Sequence, residues 1–106
     1  MLKFIELLNT RGLQIDFGSQ AGVCLTRDNA IVALELLREE GAIVLGGDVF
    51  KLLENKFTPA YANWHCDEIS AETKQAFSQR SILVALDYIK NYPKELEEAY
   101  FIFVIQ

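Results

Sequence analysis

Six consecutive apolar residues, Tyr100-Phe101-Ile102-Phe103-Val104-Ile105, constrain this chain more than any other feature. Their aromatic and β-branched side chains favour extended backbone. Successive side chains of a strand point to opposite faces, so a run that is apolar on both predicts a central strand. The rest of the chain then has to supply neighbouring strands and helices that pack on the sheet.

Two segments read as the covering helices. Thr26 can accept a hydrogen bond from an orphan backbone N–H, and Asp28 suits the positive end of a helix dipole. Ala30, Ala33, Leu34 and Leu37 follow as one apolar stripe, widened by Ile31, and Gly41 supplies a left-handed stop. The spacing predicts a helix over 27–40 with a buried face. Ser70 is a second cap candidate, ahead of an apolar face of Phe77, Ile82, Ala85, Leu86 and Ile89 over 71–91, which Pro93 ends. A short first helix over 2–8 is consistent with Leu2, Ile5 and Leu8.

Strand signals occupy the intervals. Leu13, Ile15 and Phe17 alternate with Gln14 and Asp16, as a strand or an extended loop would. Ala42-Ile43-Val44-Leu45 reads as a short buried strand. Gly46-Gly47 then either turns the chain or lets another backbone approach closely. Val49 to Glu54 reads as a strand, Asn55-Lys56 as a two-residue hairpin turn, and Phe57 towards Cys66 as the return strand. Pro59 removes a ladder donor, which places that strand at an edge or gives it a bulge. The run Glu95-Leu96-Glu97-Glu98 reads as a loop or ragged turn. The expected fold is α+β: one domain over residues 1–106, with a small mixed or antiparallel sheet and two or three packed helices.

Composition excludes several function classes. With 106 residues, 51% hydrophobic and 24% charged, the chain has the makeup of a globular domain rather than a disordered one. No apolar run approaches the ~20 residues of a membrane helix. The start, MLKFIELLNTRG, has no secretory pattern, so a cytoplasmic location is expected. Ten basic residues against fifteen acidic ones give a net charge of −5, and the bases are scattered. Nucleic acid is therefore not an expected partner, whereas a basic protein surface fits the sign.

The chemistry-bearing residues form no catalytic or metal set. His65 is the only histidine, and as strand neighbours His65 and Cys66 would face opposite ways, so neither a thiolate–imidazole pair nor a zinc site is expected. Cys24, in Gly22-Val23-Cys24-Leu25, reads as a small buried hydrophobe, although a single disulfide with Cys66 stays open. Gly46-Gly47-Asp48 lacks the remainder of any phosphate-binding loop. Asp67, Glu68 and Glu72 cluster where a helix begins, where acids are favoured anyway. Tyr61, Asn63 and Trp64 beside Asp67 and Glu68 have the composition of an interface. Alternation puts Trp64 on the opposite side from Tyr61 and Asn63, so Trp64 has a core reading as well.

Taken together, Leu25-Thr26-Arg27-Asp28-Asn29-Ala30, Leu45-Gly46-Gly47-Asp48-Val49-Phe50, Tyr61-Ala62-Asn63-Trp64-His65-Cys66-Asp67, Ser81, Tyr88-Ile89, Asn91-Tyr92-Pro93 and the terminal apolar strand resemble the immunity protein 40 family of bacterial polymorphic toxin systems. The resemblance covers residues 22–106. Val23 and Cys24 depart from the aromatic–Ala pair expected there.

The resemblance implies an antidote that binds a cognate toxin domain and needs neither catalysis nor a cofactor or metal. The expected contact residues are Gly46, Gly47 and Asp48 together with Tyr61, Asn63, Trp64, Asp67 and Glu68, with Gly46, Gly47 and Trp64 alternatively serving the fold. The competing readings are a general interaction or regulatory module without a toxin partner, and a small hydrolase using Cys66 and His65. Both a monomer and a homodimer paired through Phe57, Tyr61 and an edge strand are compatible with the sequence.

Overall fold

The computed structural model describes residues 1–17, 20–94 and 98–106. Its elements run α1 (Leu2–Arg11), β1 (Leu13–Phe17), β2 (Gln20–Thr26), α2 (Arg27–Glu39), β3 (Val44–Leu53), β4 (Lys56–His65), α3 (Lys74–Asn91) and β5 (Ala99–Ile105). The five strands form one antiparallel sheet in the order β1-β2-β5-β3-β4, so the apolar run is the central strand, as its two-sided apolarity requires. The sheet curls enough to bring β1 near β4. The architecture is the expected small α+β fold, with three helices. Of the acidic run 95–98, residues 95–97 lie outside the described residues.

The helix over α2 forms for the local reasons that the sequence shows. Thr26 Oγ1 accepts from the Asn29 N–H at 3.3 Å, and Ala30, Ala33, Leu34 and Leu37 are fully buried. At the other end Gly41 has φ +68. Its N–H donates to Arg38 O at 3.1 Å, and the Ala42 N–H donates to Leu37 O at 3.0 Å, the paired bonds of a Schellman stop.

The start of α3 differs from expectation. Thr73 caps it, its Oγ1 accepting from the Ala76 N–H at 3.1 Å, and Ser70 does not. Ser70 instead sits inside a turn closed by the Glu72 N–H on Ile69 O at 3.0 Å, with Ala71 at φ +67. A positive φ at the third residue makes this a type II turn and delays the helix. At the far end, Arg27 supplies what a C-cap glycine would. Its Nη1 donates to Ile89 O and to Tyr92 O (2.9 Å to the latter), and its guanidinium lies over the Phe101 ring, 5.7 Å from the centroid.

In the β3–β4 hairpin one open alternative is settled and one expectation is corrected. Gly46-Gly47 does not turn the chain; β3 continues through it, with a register irregularity against β5 between Val44 and Gly46. The hairpin turn is Glu54-Asn55, one residue earlier than Asn55-Lys56, with Leu53 opposite Lys56. Both turn residues have positive φ, +50 and +65, which is the twist-matched geometry for a two-residue loop.

The sheet buries its two faces unequally. On the helix face, Leu25, Val44, Val49 and Phe101 meet Leu34 and Leu37 of α2, Ile82 and Ile89 of α3, and Phe4 and Leu7 of α1 in one core. Two serines fasten α3 to the start of β3. Ser81 Oγ accepts from the Val44 N–H at 3.0 Å, and Ser78 Oγ donates to Ala42 O at 2.6 Å. The opposite face holds a smaller cluster of Ile15, Cys24, Phe50 and Tyr100, with Phe57 and Ile102 against it. Phe57 meets Tyr100 edge-on at 5.1 Å, so its ring is turned inwards. Cys24 is fully buried and both cysteines are free, which closes the disulfide alternative.

Candidate functional surface on the bulged edge strand

Strand β4 is an edge strand, and Pro59 within it has no N–H to offer a ladder. The β3–β4 register shows the consequence. Asp48 lies opposite Asn63 and Phe50 lies opposite Pro59, so Ala60, Tyr61 and Ala62 together face Val49 alone. The sequence offered an edge or a bulge, and both are present. Tyr61, at the apex, has φ +56, unusual for a bulky residue, and its side chain is 89% exposed.

The bulge presents a row of polar side chains on the face without helices. Asp48 and Asn63 are exposed cross-strand neighbours, and Ile102 of β5 lies on the other side of Asp48. One step along, Gly46 separates Val104, 49% exposed, from His65. The His65 ring is largely exposed, with Nε2 3.9 Å from Asp67 Oδ2. Asp67 and Glu68 are exposed just beyond the end of β4. An open pocket of about 280 Å³ lies beside the bulge, bounded by Asp48, Val49, Phe50, Pro59, Tyr61 and Asn63.

Trp64 faces the other way. It is buried against the helices, stacked on Tyr88 at 4.8 Å and edge-on to Phe103 at 6.2 Å. Gly46 and Gly47 make room for it. A Cβ on Gly47 would run into the indole ring and Ile102 O, and one on Gly46 would run into the Trp64 carbonyl oxygen. The close approach that these glycines permit is thus to Trp64 within the chain. Asp48, Tyr61 and Asn63 line one pocket, Asp67 and Glu68 are exposed just past the end of β4, and Gly46, Gly47 and Trp64 are buried.

A charged clamp anchors the segment that follows. Cys66 is buried on the side opposite His65, so no thiol–imidazole pair forms. Cys66 Sγ accepts from Arg80 Nη1 at 3.1 Å. Arg80 also donates through Nε and Nη2 to the two Glu72 oxygens at 2.8 and 2.7 Å, and through Nη2 to Asp67 O at 2.6 Å. These hydrogen bonds hold the Glu72 carboxyl down at about 2, and Glu72 in turn pushes the Arg80 guanidinium up. Glu72 therefore braces the backbone below Asp67 rather than facing a partner. Burial pushes the Cys24 thiol up to about 11, so this thiol is held neutral rather than activated.

Sequence reasoning missed Arg80, whose partners lie eight to fourteen residues away across a turn, and the half-exposed Val104. The Arg80 contacts depend on tertiary geometry. Val104 sits within a run that suggested burial on both faces. Among the described residues, no three or more His, Cys, Asp and Glu side chains are grouped to hold a metal ion, and no helix is long and apolar enough to cross a membrane.

No curated protein and no solved structure matches the chain. The family model described as Immunity protein 40 matches residues 8–105, beginning fourteen residues before the motif resemblance does and taking in the last turn of α1 and all of β1. That family's name implies protection against toxins, and with nearly its whole length matched the chain belongs to the Immunity protein 40 family.

Proposed function

We propose that this protein neutralises a cognate bacterial toxin domain by binding it stoichiometrically, without catalysis. The observation that carries the reading is the family match over residues 8–105. The bulged edge supports it with a surface of suitable chemistry. A nearly fully exposed tyrosine lines a pocket with Asp48 and Asn63, and Asp67 and Glu68 are exposed just past the end of the same strand, on a chain of net charge −5. Exposed aromatics act as anchors at protein interfaces, and a surplus of acid steers a basic partner to them. We assign the contact surface to Asp48, Tyr61, Asn63, Asp67 and Glu68, and give Gly46, Gly47 and Trp64 the role of holding that strand in place.

The test is co-expression with the toxin encoded beside the gene. Cells that express the toxin alone should stop growing, cells with both proteins should grow, and the two should co-elute at a fixed ratio. Growth arrest despite full expression of this protein, with no co-elution, contradicts the reading. It would favour a general interaction module instead.

A further inference from the structure

We propose that the pocket beside the β4 bulge is a socket for one lysine or arginine side chain projecting from the toxin, an assignment that rests on the toxin-binding reading above. At about 280 Å³ the pocket exceeds by severalfold the roughly 30 Å³ that one water occupies. It has room for a side chain.

Its walls divide into two kinds. Phe50 and Pro59 are apolar and suit the methylene stem of a long cationic side chain. Asp48 and Asn63 lie opposite each other across the two strands and offer a carboxylate and a carboxamide to its charged end. Tyr61 stands at the rim with its ring exposed, where a cation gains from the negative face of the aromatic system.

The charge pattern selects the sign of the occupant. None of the residues lining the pocket is basic. The nearest base along β3, Lys51, borders a separate cleft that also contains Glu98. Asp48 has no ion pair or side-chain hydrogen bond among the described residues, so a partner's cation meets an uncommitted carboxylate. An acidic side chain entering here would instead face Asp48 with no compensating base.

The bulge is what creates the site. Three β4 residues opposite Val49 push the edge strand outwards and lift Tyr61 clear of the ladder. A regular β4 would close this space with ordinary pairing.

Calorimetry of the purified protein against the purified toxin domain encoded beside the gene tests the socket. Asp48→Asn and Tyr61→Ala should each weaken binding at least about tenfold, because truncating one side of a desolvated cation contact is costly. Asp48→Lys should weaken it further, and a Lys→Glu or Arg→Glu change at one toxin position should restore much of that loss. Thermal melts establish that each variant is folded. If the wild type binds while Asp48→Asn and Tyr61→Ala bind within twofold of it, the socket is overturned and the toxin-binding reading survives. If the folded wild type does not bind, both fall.

Discussion

The two faces of the sheet are made by the same strands and do opposite work. Val49, Phe101 and Trp64 turn towards the helices and are buried. Their strand neighbours Asp48, Ile102 and Asn63 turn the other way, and there only a small cluster around Tyr100 excludes water. Gly47 and Asp48 state the contrast in two adjacent residues. One has no space for a methyl group, and the other projects into solvent. An antiparallel sheet with helices on one side allows this division, because the period of two separates the residues that hold the fold from those left at the surface.

Substitutions on the helix face should have the largest effects on stability. Phe101 is fully buried at the centre of the sheet, so Phe101→Ala should cost about 3–5 kcal/mol, read from a denaturant melt. A loss below about 1 kcal/mol would mean that the helix face does not carry the fold. Gly47→Ala should cost about 1–3 kcal/mol, since the indole of Trp64 and Ile102 O must give way. Asp48→Ala, one residue on, should stay within about 0.5 kcal/mol. Equal losses at the two positions would break the comparison.

The Arg80–Glu72 clamp should show itself through pH. The Glu72 carboxyl titrates near 4.5 in the unfolded chain and at about 2 in the folded one. A depressed folded value means that the ionised pair stabilises the protein above about pH 4.5, and that this contribution is lost as the pH falls towards 2. Melts of the wild type should therefore lose more stability between pH 5 and about 2.5 than those of Glu72→Gln. Identical pH profiles would remove the clamp from the account. The smallest effect is expected at Tyr61→Ala, within about 0.5 kcal/mol of wild type in the free protein, because an 89% exposed ring gives up little packing.

What was legible in the sequence was mostly local. α2 could be read almost residue by residue, because its cap, its apolar stripe and its stopping glycine are all determined within the segment. The centrality of β5 followed from two-sided apolarity. The elements that were misplaced depend on distant partners. Thr73 displaces Ser70 as the cap because a turn braced by Glu72 comes first, and Glu72 itself is held by Arg80. Gly46-Gly47 looks the same in sequence whether it turns the chain or clears a path, and what decides between these is Trp64, which lies on another strand. For the candidate surface, composition picked out Tyr61 and its acidic neighbours, and Pro59 pointed to the irregular strand. Only the register showed that the bulge opens a pocket against Asp48.

On the proposed reading the bulged edge meets the partner while the helix layer holds the fold. Hydrogen–deuterium exchange of the protein, alone and with the proposed cognate toxin domain, tests this division. Added protection should concentrate over residues 57–68 and the adjoining part of β3, with the exposed sides of α2 and α3 unchanged. Protection confined to those helices, with exchange in β4 unaltered, would contradict it.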